Sequence, residues 1–362
     1  MSSFFTSLTP SAQTAYAQAF DHAMMASLHR SVGDLTGSFA TKKVAGKEYR
    51  YFQFRDVNQK VRQVYLGPPS ERLDRLIEAK KTAVPSDAIA RQARAALALG
   101  NQGIPRDQFK VLKRLDEYGF FRAGGVLIGT HAFICYGNMF GVAWGEAHLT
   151  HDLDFAYAGR NVSLALPANI HLNVHDAITS LEMGFLPASQ LDGLIGGTYV
   201  VPRNPDFRLD FVTTVGRDTA PLIGFPNLNV AMTPLKFMEY SLEDVRQAAL
   251  LSQDGTVVVN LPSPARYALH KLIVAAERGV EFRTKSRKDL RQAAALLAFM
   301  AEYEPEQLVD AWCDLHRRGK GWRTRFAAGR AMLLREVPEI RPVLQHCDDV
   351  VSPVLGADSG ED

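Results

Sequence analysis

The stretch Thr150-His151-Asp152-Leu153-Asp154-Phe155 places two carboxylates one residue apart between apolar neighbours. Side chains alternate between the two faces of a strand, so a strand here would point Asp152 and Asp154 the same way. Two adjacent anions repel unless a positive group lies between them, and Mg²⁺ suits this place because it prefers carboxylate oxygen. Two solvated aspartates where a strand runs into a turn would give the same pattern, so this stretch alone leaves both interpretations open.

Two further segments favour a metal site. The segment 124–133 reads as an apolar strand, a Gly129-Thr130 turn and the start of a helix. Backbone N–H groups at such a turn can hold phosphate oxygens. The segment 207–212 is a second alternating strand, and it carries Asp210. The chain therefore presents a Gly-Thr turn, an Asp-x-Asp strand and a third aspartate, in that order.

These parts resemble the signature of the nucleotidyltransferase superfamily, which has the DNA polymerase β-like fold. Gly129-Thr130, Asp152-Leu153-Asp154 and Leu209-Asp210-Phe211 carry the resemblance. It covers about residues 45 to 300 and is strongest with bacterial nucleotidyltransferase-fold proteins. Two features depart from the usual pattern: Thr130 stands where Ser or Gly is usual, and the spacer from Gly129 to Asp152 is longer than in minimal members.

The resemblance implies an enzyme of the EC 2.7.7 type that moves an NMP from an NTP, such as ATP, to a hydroxyl acceptor. Two Mg²⁺ ions would assist the transfer, with Mn²⁺ as the alternative ion. The implied catalytic residues and metal ligands are Asp152, Asp154 and Asp210, and the implied NTP-binding residues are Gly129, Thr130 and Lys271. Because close anions repel, replacing Asp152 or Asp154 by Asn is expected to keep or raise thermal stability without metal.

Lys271 lies in the middle of an apolar helix. Its stem could pass its neighbours to reach water, or its ammonium could reach the triphosphate if the helix packs beside the sheet. Downstream, the run from Arg283 to Asp289 is similar to a Lys…Arg…Lys-Asp pattern that follows the core in related nucleotidyltransferases. A solvated basic helix start is the alternative for that run.

The acceptor remains open among an RNA 3′ end, a protein hydroxyl and a small molecule. An Asp-x-Asp glycosyltransferase and a catalytically inactive relative that binds nucleic acid or a partner are alternative functions. Toxin or defence roles occur in related families, but no residue here decides for them. The sequence also leaves the oligomeric state undetermined.

Two aromatic runs, 49–55 and 61–68, flank an Asp/Asn turn and predict a β-hairpin. Basic residues lie among the aromatics, as in platforms for nucleic acid. A hairpin with one packed aromatic face and one solvated basic face explains the same residues. The role of the hairpin therefore remains open.

Length and composition limit the class of protein. The chain has 362 residues, of which 46% are hydrophobic, enough for two or three domains with a sizeable core. Its 41 Lys and Arg residues against 39 Asp and Glu give a net charge of +2, so any binding to nucleic acid needs a local basic patch. Unpaired cysteine spacing and the lack of a run of about 18 apolar residues predict a cytoplasmic protein without a membrane partner.

The element pattern predicts an α+β fold in which a mixed sheet carries the three aspartates. We expect an N-terminal helical and hairpin region over 1–103, a catalytic core over 104–232, a C-terminal helical region over 233–350 and a disordered tail over 351–362. Within these regions, the sequence predicts a connection from Val32 to Lys43, a helix opening at Thr233 and a helix cap at Ser286.

Overall fold

The computed structural model describes residues 4–32, 37–44, 46–55, 61–79, 86–145, 150–158, 172–191, 193–215, 220–279 and 283–358. Helices and a mixed sheet occur together in these ranges, which confirms the predicted α+β class. No helix in the same ranges has both the length and the apolar character that crossing a membrane requires.

The described residues of the first part of the chain form three helices and a small sheet. Its elements are β1 (Phe5–Ser7), α1 (Pro10–Val32), β2 (Gly37–Val44), β3 (Lys47–Arg55), β4 (Val61–Gly67), α2 (Glu71–Ala79) and α3 (Ser86–Ala98). β3 pairs with β4, so the two strands of the predicted hairpin are confirmed, whereas its turn at 56–60 lies outside the described residues. The predicted connection before it is wrong over residues 37–43, because these residues pair along β3 and Phe39 packs on the buried Phe52.

The central sheet positions the acidic residues. Its region contains α4 (Arg106–Glu117), β5 (Val126–Leu127), α5 (Gly129–Phe140), β6 (Val142–Trp144), β7 (Leu153–Tyr157), α6 (Val174–Thr179), β8 (Leu186–Leu191), β9 (Leu194–Val201), β10 (Asn204–Thr214), β11 (Ile223–Phe225) and β12 (Val230–Leu235). The strand order is β11-β12-β9-β10-β7-β5, with β8 paired to β9. β7 and β10 run parallel, and their register sets Asp210 directly beside Asp154.

The last third of the chain is helical apart from one β-hairpin. Its elements are α7 (Met238–Leu242), β13 (Val245–Ser252), β14 (Gly255–Pro262), α8 (Pro264–Glu277), α9 (Arg283–Tyr303), α10 (Pro305–Arg317), α11 (Lys320–Glu336) and α12 (Arg341–Asp358). The helix predicted to open at Thr233 is wrong there, because residues 230–235 form β12, which pairs with β9, β10 and β11.

Two other local predictions for this region are wrong. Ser286 does not cap α9, because the helix begins at Arg283 and Ser286 is buried within it. The tail predicted to be disordered from residue 351 is helical over 351–358, where the side chain of Val351 belongs to the main hydrophobic core. Residues 359–362 of that tail lie outside the described ranges.

The N-terminal helices pack on an element from the C-terminal third. α1 and α3 lie against the β13–β14 hairpin, and the backbone N–H of Ala249 donates to the Tyr16 hydroxyl at 3.0 Å. Tyr16 and Ala249 belong to one apolar cluster with Ala19 and Ala96. Packing therefore crosses the boundary predicted at residue 103, and β12 crosses the one predicted at residue 232.

The helix that carries Lys271 is tightly enclosed. α8 packs against α9, α10 and α11. At Gly329, α11 approaches the α8 backbone so closely that a Cβ atom would lie 2.6 Å from the carbonyl carbon of Leu272. Glycine at 329 thus fixes the position of α8 one residue from Lys271.

We expect Gly329→Ala to lower the free energy of unfolding by about 1–3 kcal/mol, because the added methyl group overpacks the α8–α11 contact. Gly321→Ala on the same helix is the matched control: Gly321 is exposed, and its nearest neighbour is the flexible Arg325 side chain at 3.4 Å. The control should be neutral or stabilising by up to about 1 kcal/mol, because alanine favours helix. Urea unfolding measures both, and equal stabilities would contradict the close contact.

Candidate active site

The turn between β5 and α5 lies directly against the carboxylate of Asp154. β5 pairs with β7, and the Ile128 N–H donates to the Asp154 carbonyl oxygen at 3.0 Å. Gly129 then adopts a φ of +65°, and a Cβ there would lie 3.0 Å from Asp154 Cγ and closer still to Oδ2. A side chain at 129 is therefore excluded twice, by the positive φ and by the carboxylate.

The start of α5 offers backbone donors next to this carboxylate. The helix begins at Gly129, and the preceding Ile128 supplies no side-chain cap. The first N–H groups of a helix have no partner within the helix, and the helix dipole adds positive potential there. This end of α5 therefore suits an anion such as phosphate.

A pocket of about 460 Å³ brings together residues that are far apart in the sequence. Five of the six predicted site residues line it, namely Gly129, Thr130, Asp152, Asp154 and Lys271. Asp210 does not line the pocket, although it adjoins Asp154 in the sheet. A further part of the lining is apolar and consists of Ile128, Val212, Pro234, Leu235, Phe237, Met238 and Val274.

Asp210 is held by two neighbours in the sheet. The Thr198 hydroxyl on β9 donates to its Oδ1 at 2.7 Å, and Arg208 Nε lies 3.1 Å from its Oδ2. Arg208 and Asp210 are two residues apart on β10 and so share one face of the strand. The third aspartate therefore has a positive partner from the protein itself.

The two carboxylates of the Asp-x-Asp motif have different electrostatic environments. Burial, together with the charges of Asp152 and Asp210, raises the pKa of Asp154 from 3.8 to about 7. Partial burial would also raise the pKa of Asp152, but the Thr150 hydroxyl and the Lys285 and Lys288 charges outweigh burial and lower that pKa. When ionised, Asp154 thus carries the less compensated of the two negative charges.

Lys271 is buried and lies in a group of three charged side chains. It forms an ion pair with Asp289, which also pairs with Arg278. Burial alone would raise the pKa of Asp289, but the two cations outweigh it and hold this pKa below its usual value. The Lys271 ammonium therefore does not pass its neighbours to bulk water; it is fixed by Asp289 at the wall of the pocket.

Tyr267 links this helical region to the glycine turn. Its hydroxyl donates to the Gly129 carbonyl oxygen at 2.6 Å, and the Lys271 Nζ lies 4.7 Å from the centre of its ring. One α8 side chain thus contacts both the turn and the buried lysine. The position of α8 and the position of the turn therefore depend on each other.

A sequence model described as nucleotidyltransferase matches residues 106–316, which is more than half of the chain. The chain belongs to this nucleotidyltransferase family. The matched range contains the glycine turn, the three aspartates and the α8–α9 cations, so the match confirms the resemblance noted from the motifs. Searches of curated proteins and of solved structures find no match for the chain.

The nucleotidyltransferase pocket has the oxygen donors that a hard divalent ion prefers. Within the described ranges, no three His, Cys, Asp or Glu side chains form a ready cluster around a metal position. Mg²⁺ commonly uses only one or two carboxylates and takes its other ligands from substrate phosphates and water. Asp152 and Asp154 provide such a pair, and the raised pKa of Asp154 marks a negative charge that a cation would neutralise.

Sequence reasoning assigned no site role to four cations that line the pocket of this nucleotidyltransferase, namely Lys236, Arg278, Lys285 and Lys288. Lys285 lies 3.4 Å from Asp152 Oδ2, and Lys288 and Arg278 line the pocket. Lys288 makes no ion pair in the part of the chain that the structure describes, and its pKa is lowered, chiefly by burial. The sequence did contain a signal for Lys285 and Lys288: they are three residues apart on a predicted helix, so both side chains lie on one helix face.

Two further residues near the nucleotidyltransferase site, Thr198 and Phe237, gave no sequence signal, whereas strand alternation already places Arg208 on the same face as Asp210. Thr198 and Arg208 contact Asp210 only because of strand pairing and strand alternation. Phe237 lines the pocket with a φ of +66°, which is unusual for a residue with a side chain. Such conformations persist only where the surrounding structure enforces them.

In the metal-free protein, ionised Asp154 should destabilise the native state, whereas ionised Asp152 should stabilise it. The unfolded chain loses the Asp154 proton near pH 4, whereas the folded chain keeps it to about pH 7, so the native state loses stability between these values. Asp154→Asn removes that cost, and its melting temperature should exceed wild type by more at pH 8 than at pH 5. Thermal unfolding in EDTA measures the difference.

Asp152→Asn is the matched comparison. In wild type the pKa of the Asp152 carboxyl is lower in the folded chain than in the unfolded chain. The ionised carboxylate therefore stabilises the native state above about pH 4, and this contribution is lost on acidification. The variant should therefore melt below wild type at pH 5, where Asp152 is ionised and Asp154 is still protonated, so that no repulsion between the two is relieved. The sequence led us to expect that Asn at either position keeps or raises the thermal stability. The electrostatics of the structure support this expectation for Asp154→Asn alone. A stabilised Asp152→Asn protein at pH 5 would contradict the Lys285 contact.

Proposed function

We propose that this nucleotidyltransferase moves an NMP from an NTP to a hydroxyl acceptor with the help of two divalent ions. One observation supports the proposal most. A single pocket combines a glycine turn that opens a helix, the carboxylates of Asp152 and Asp154, and the buried Lys271. Phosphoryl and nucleotidyl transfer depends mainly on positioning and on neutralising charge, and these groups provide both functions.

Each part of the pocket has a proposed role. The first N–H groups of α5, at Gly129 and Thr130, would bind phosphate oxygens of the NTP. Lys271 would neutralise charge on the triphosphate, and Asp289 would keep its ammonium in place. The close approach of Gly129 to Asp154 supports this arrangement, because it brings the bound phosphates beside the carboxylates.

Asp152 and Asp154 would hold Mg²⁺ or Mn²⁺, with Asp210 as the third carboxylate. When bound, the two ions supply charge stabilisation at the attacking and the leaving oxygen. The acceptor oxygen forms a bond to the α-phosphorus, and the bond from that phosphorus to the leaving pyrophosphate breaks. Asp210, oriented by Thr198 and Arg208, would accept the hydroxyl proton.

A catalytically inactive nucleotidyltransferase-fold protein is the second candidate. The ion pair between Arg208 and Asp210 favours it, because the third acid already has a cation. Calorimetric titration with Mg²⁺ in the presence of NTP separates the two candidates. Absence of metal-dependent NTP binding would support the inactive protein and contradict catalysis.

We expect Asp152→Asn and Asp154→Asn each to abolish Mg²⁺-dependent transfer, because both remove a proposed metal ligand. The assay incubates the protein with each α-labelled NTP, Mg²⁺ and total cell extract, and measures label in RNA, protein and small molecules. Asp206→Asn is the matched control, because Asp206 lies on β10 but is exposed and outside the pocket. Transfer near the wild-type rate in either test variant would show that the ligand assignment is wrong.

We expect Lys271→Ala to lower the apparent kcat/KM for the labelled NTP by roughly 10²-fold or more, the size of effect seen when one charge-stabilising group is lost. Lys271→Arg should recover part of the loss, because it keeps the charge. Rates with increasing NTP, at excess extract, give the values. Melting temperatures of the variants separate a catalytic effect from loss of the buried ion pair.

Arg287→Ala is the control for this experiment. Arg287 belongs to the basic run 283–289 near Lys271, but its side chain is 71% exposed and pairs with Glu336 instead of lining the NTP pocket. Its removal should change the apparent kcat/KM for the NTP only slightly. Equal small losses in Lys271→Ala and Arg287→Ala would indicate a diffuse basic surface and exclude the assigned role of Lys271.

A further inference from the structure

A second cavity, of about 510 Å³, lies beside the NTP pocket and is strongly basic. We name it the arginine groove and define it by the four arginines that line it: Arg278, Arg283, Arg287 and Arg335. Glu336 is the one acidic residue among its described lining, and the remaining lining residues are uncharged. The groove is the local basic patch that the net charge of +2 does not reveal.

The first turns of α9 separate the two cavities. Lys285, Lys288 and Asp289 line the NTP pocket, whereas Arg283, Ser286 and Arg287 line the arginine groove. Each set follows the spacing of three and four residues that places side chains on one helix face. The basic run is therefore not one solvated surface; it presents one set of cations to each cavity.

The charge of the groove is not cancelled by its own acidic residue. Glu336 is paired with both Arg287 and Arg291, at 3.2 and 3.3 Å. Arg283 and Arg335 are exposed, and neither forms an ion pair with any described residue. Two arginine forks therefore remain available for an anion, and guanidinium groups bind phosphate oxygens in a bidentate manner.

Arg278 connects the groove to the NTP pocket. It lines both cavities, and its ion pair with Asp289 holds it beside Lys271. A row of positive side chains thus leads from Arg335 and Arg283, past Arg278, to the pocket that contains Asp154. A ligand that follows this row must carry repeated negative charge and must bring a reactive group to the pocket.

We propose that the arginine groove binds the phosphodiester backbone of a nucleic-acid acceptor. The inference rests on the proposed function and names its acceptor class. A nucleic-acid strand carries a phosphodiester next to its terminal 3′ hydroxyl, so its backbone could lie in the groove while the hydroxyl reaches the pocket. An acidic protein segment has negative charge but no hydroxyl at a fixed distance from it, so the row fits nucleic acid better.

The test measures fluorescence anisotropy of a fluorescein-labelled single-stranded RNA with a free 3′ hydroxyl, titrated with the full chain. The double variant Arg283→Gln/Arg335→Gln should bind the RNA at least about tenfold more weakly at low salt. The slope of log K against log salt should decrease by about 0.7 for each lost phosphate contact. Arg283→Lys/Arg335→Lys should retain most of the affinity, because it preserves both charges.

Arg203→Gln is the matched control. It removes an exposed arginine that lines neither cavity and has no ion pair among the described residues, so RNA binding should remain at the wild-type level. Unchanged binding in the double variant would overturn the proposal, as would equal weakening in the control. Displacement of the RNA by polyglutamate as effectively as by unlabelled RNA would overturn it in favour of an acidic protein.

Two further measurements keep this inference separate from the proposed function. RNA binding is measured without NTP or Mg²⁺, so the groove can be supported even if no NMP transfer is found. NTP binding, measured by calorimetry, should be equal in wild type and in the double variant, and a matched loss of NTP binding would overturn a separate groove. A labelled DNA of the same sequence identifies the source: equal affinity indicates backbone recognition, and tighter RNA binding indicates the 2′ hydroxyl.

Discussion

The close approach of the Gly129 backbone to the Asp154 carboxylate is the contact on which the rest of the site depends. It is available only to glycine, because both the positive φ and the carboxylate oxygen exclude a Cβ atom. The contact brings the open end of α5 beside the acids of β7. Tyr267 then joins α8 to the same residue through its hydrogen bond to the Gly129 carbonyl oxygen, so the helical region is aligned with the sheet at this point.

The acidic and the basic groups of the pocket come mainly from different parts of the structure. The sheet region provides Asp152 and Asp154, and three of the five described lining cations come from α8 and α9, while Lys236 directly follows β12 and Arg278 directly follows α8. Asp154 destabilises the metal-free native state because it is buried between two other acids, whereas Asp289 is stabilised by two cations. The same protein thus contains one buried carboxylate, Asp154, whose ionised form is disfavoured, and another, Asp289, whose ionised form is favoured by two adjacent cations. This contrast distinguishes a site for a ligand from a structural ion pair.

The fold could be predicted from sequence wherever the pattern was local. The strands β7 and β10 and the hairpin strands β3 and β4 follow from alternation, and β5 follows from a short apolar run; neither pattern requires knowledge of distant residues. The errors occurred where tertiary contacts override local preference. Thr233-Pro234 has the pattern of a helix start, but pairing with three strands extends β12 through it. Ser286 has the pattern of a cap, but packing buries it inside α9.

The sequence by itself determined the family, the Gly-Thr turn and the shared face of Asp152 and Asp154, because glycine conformation and strand alternation are properties of neighbouring residues. Only the tertiary structure decided which cations meet these acids. Lys285 reaches Asp152 across 133 residues of sequence, and Asp289 lies between Lys271 and Arg278 only because α8 and α9 pack together. Electrostatic contacts act through space, so separation along the chain carries no information about them until the helices are in place.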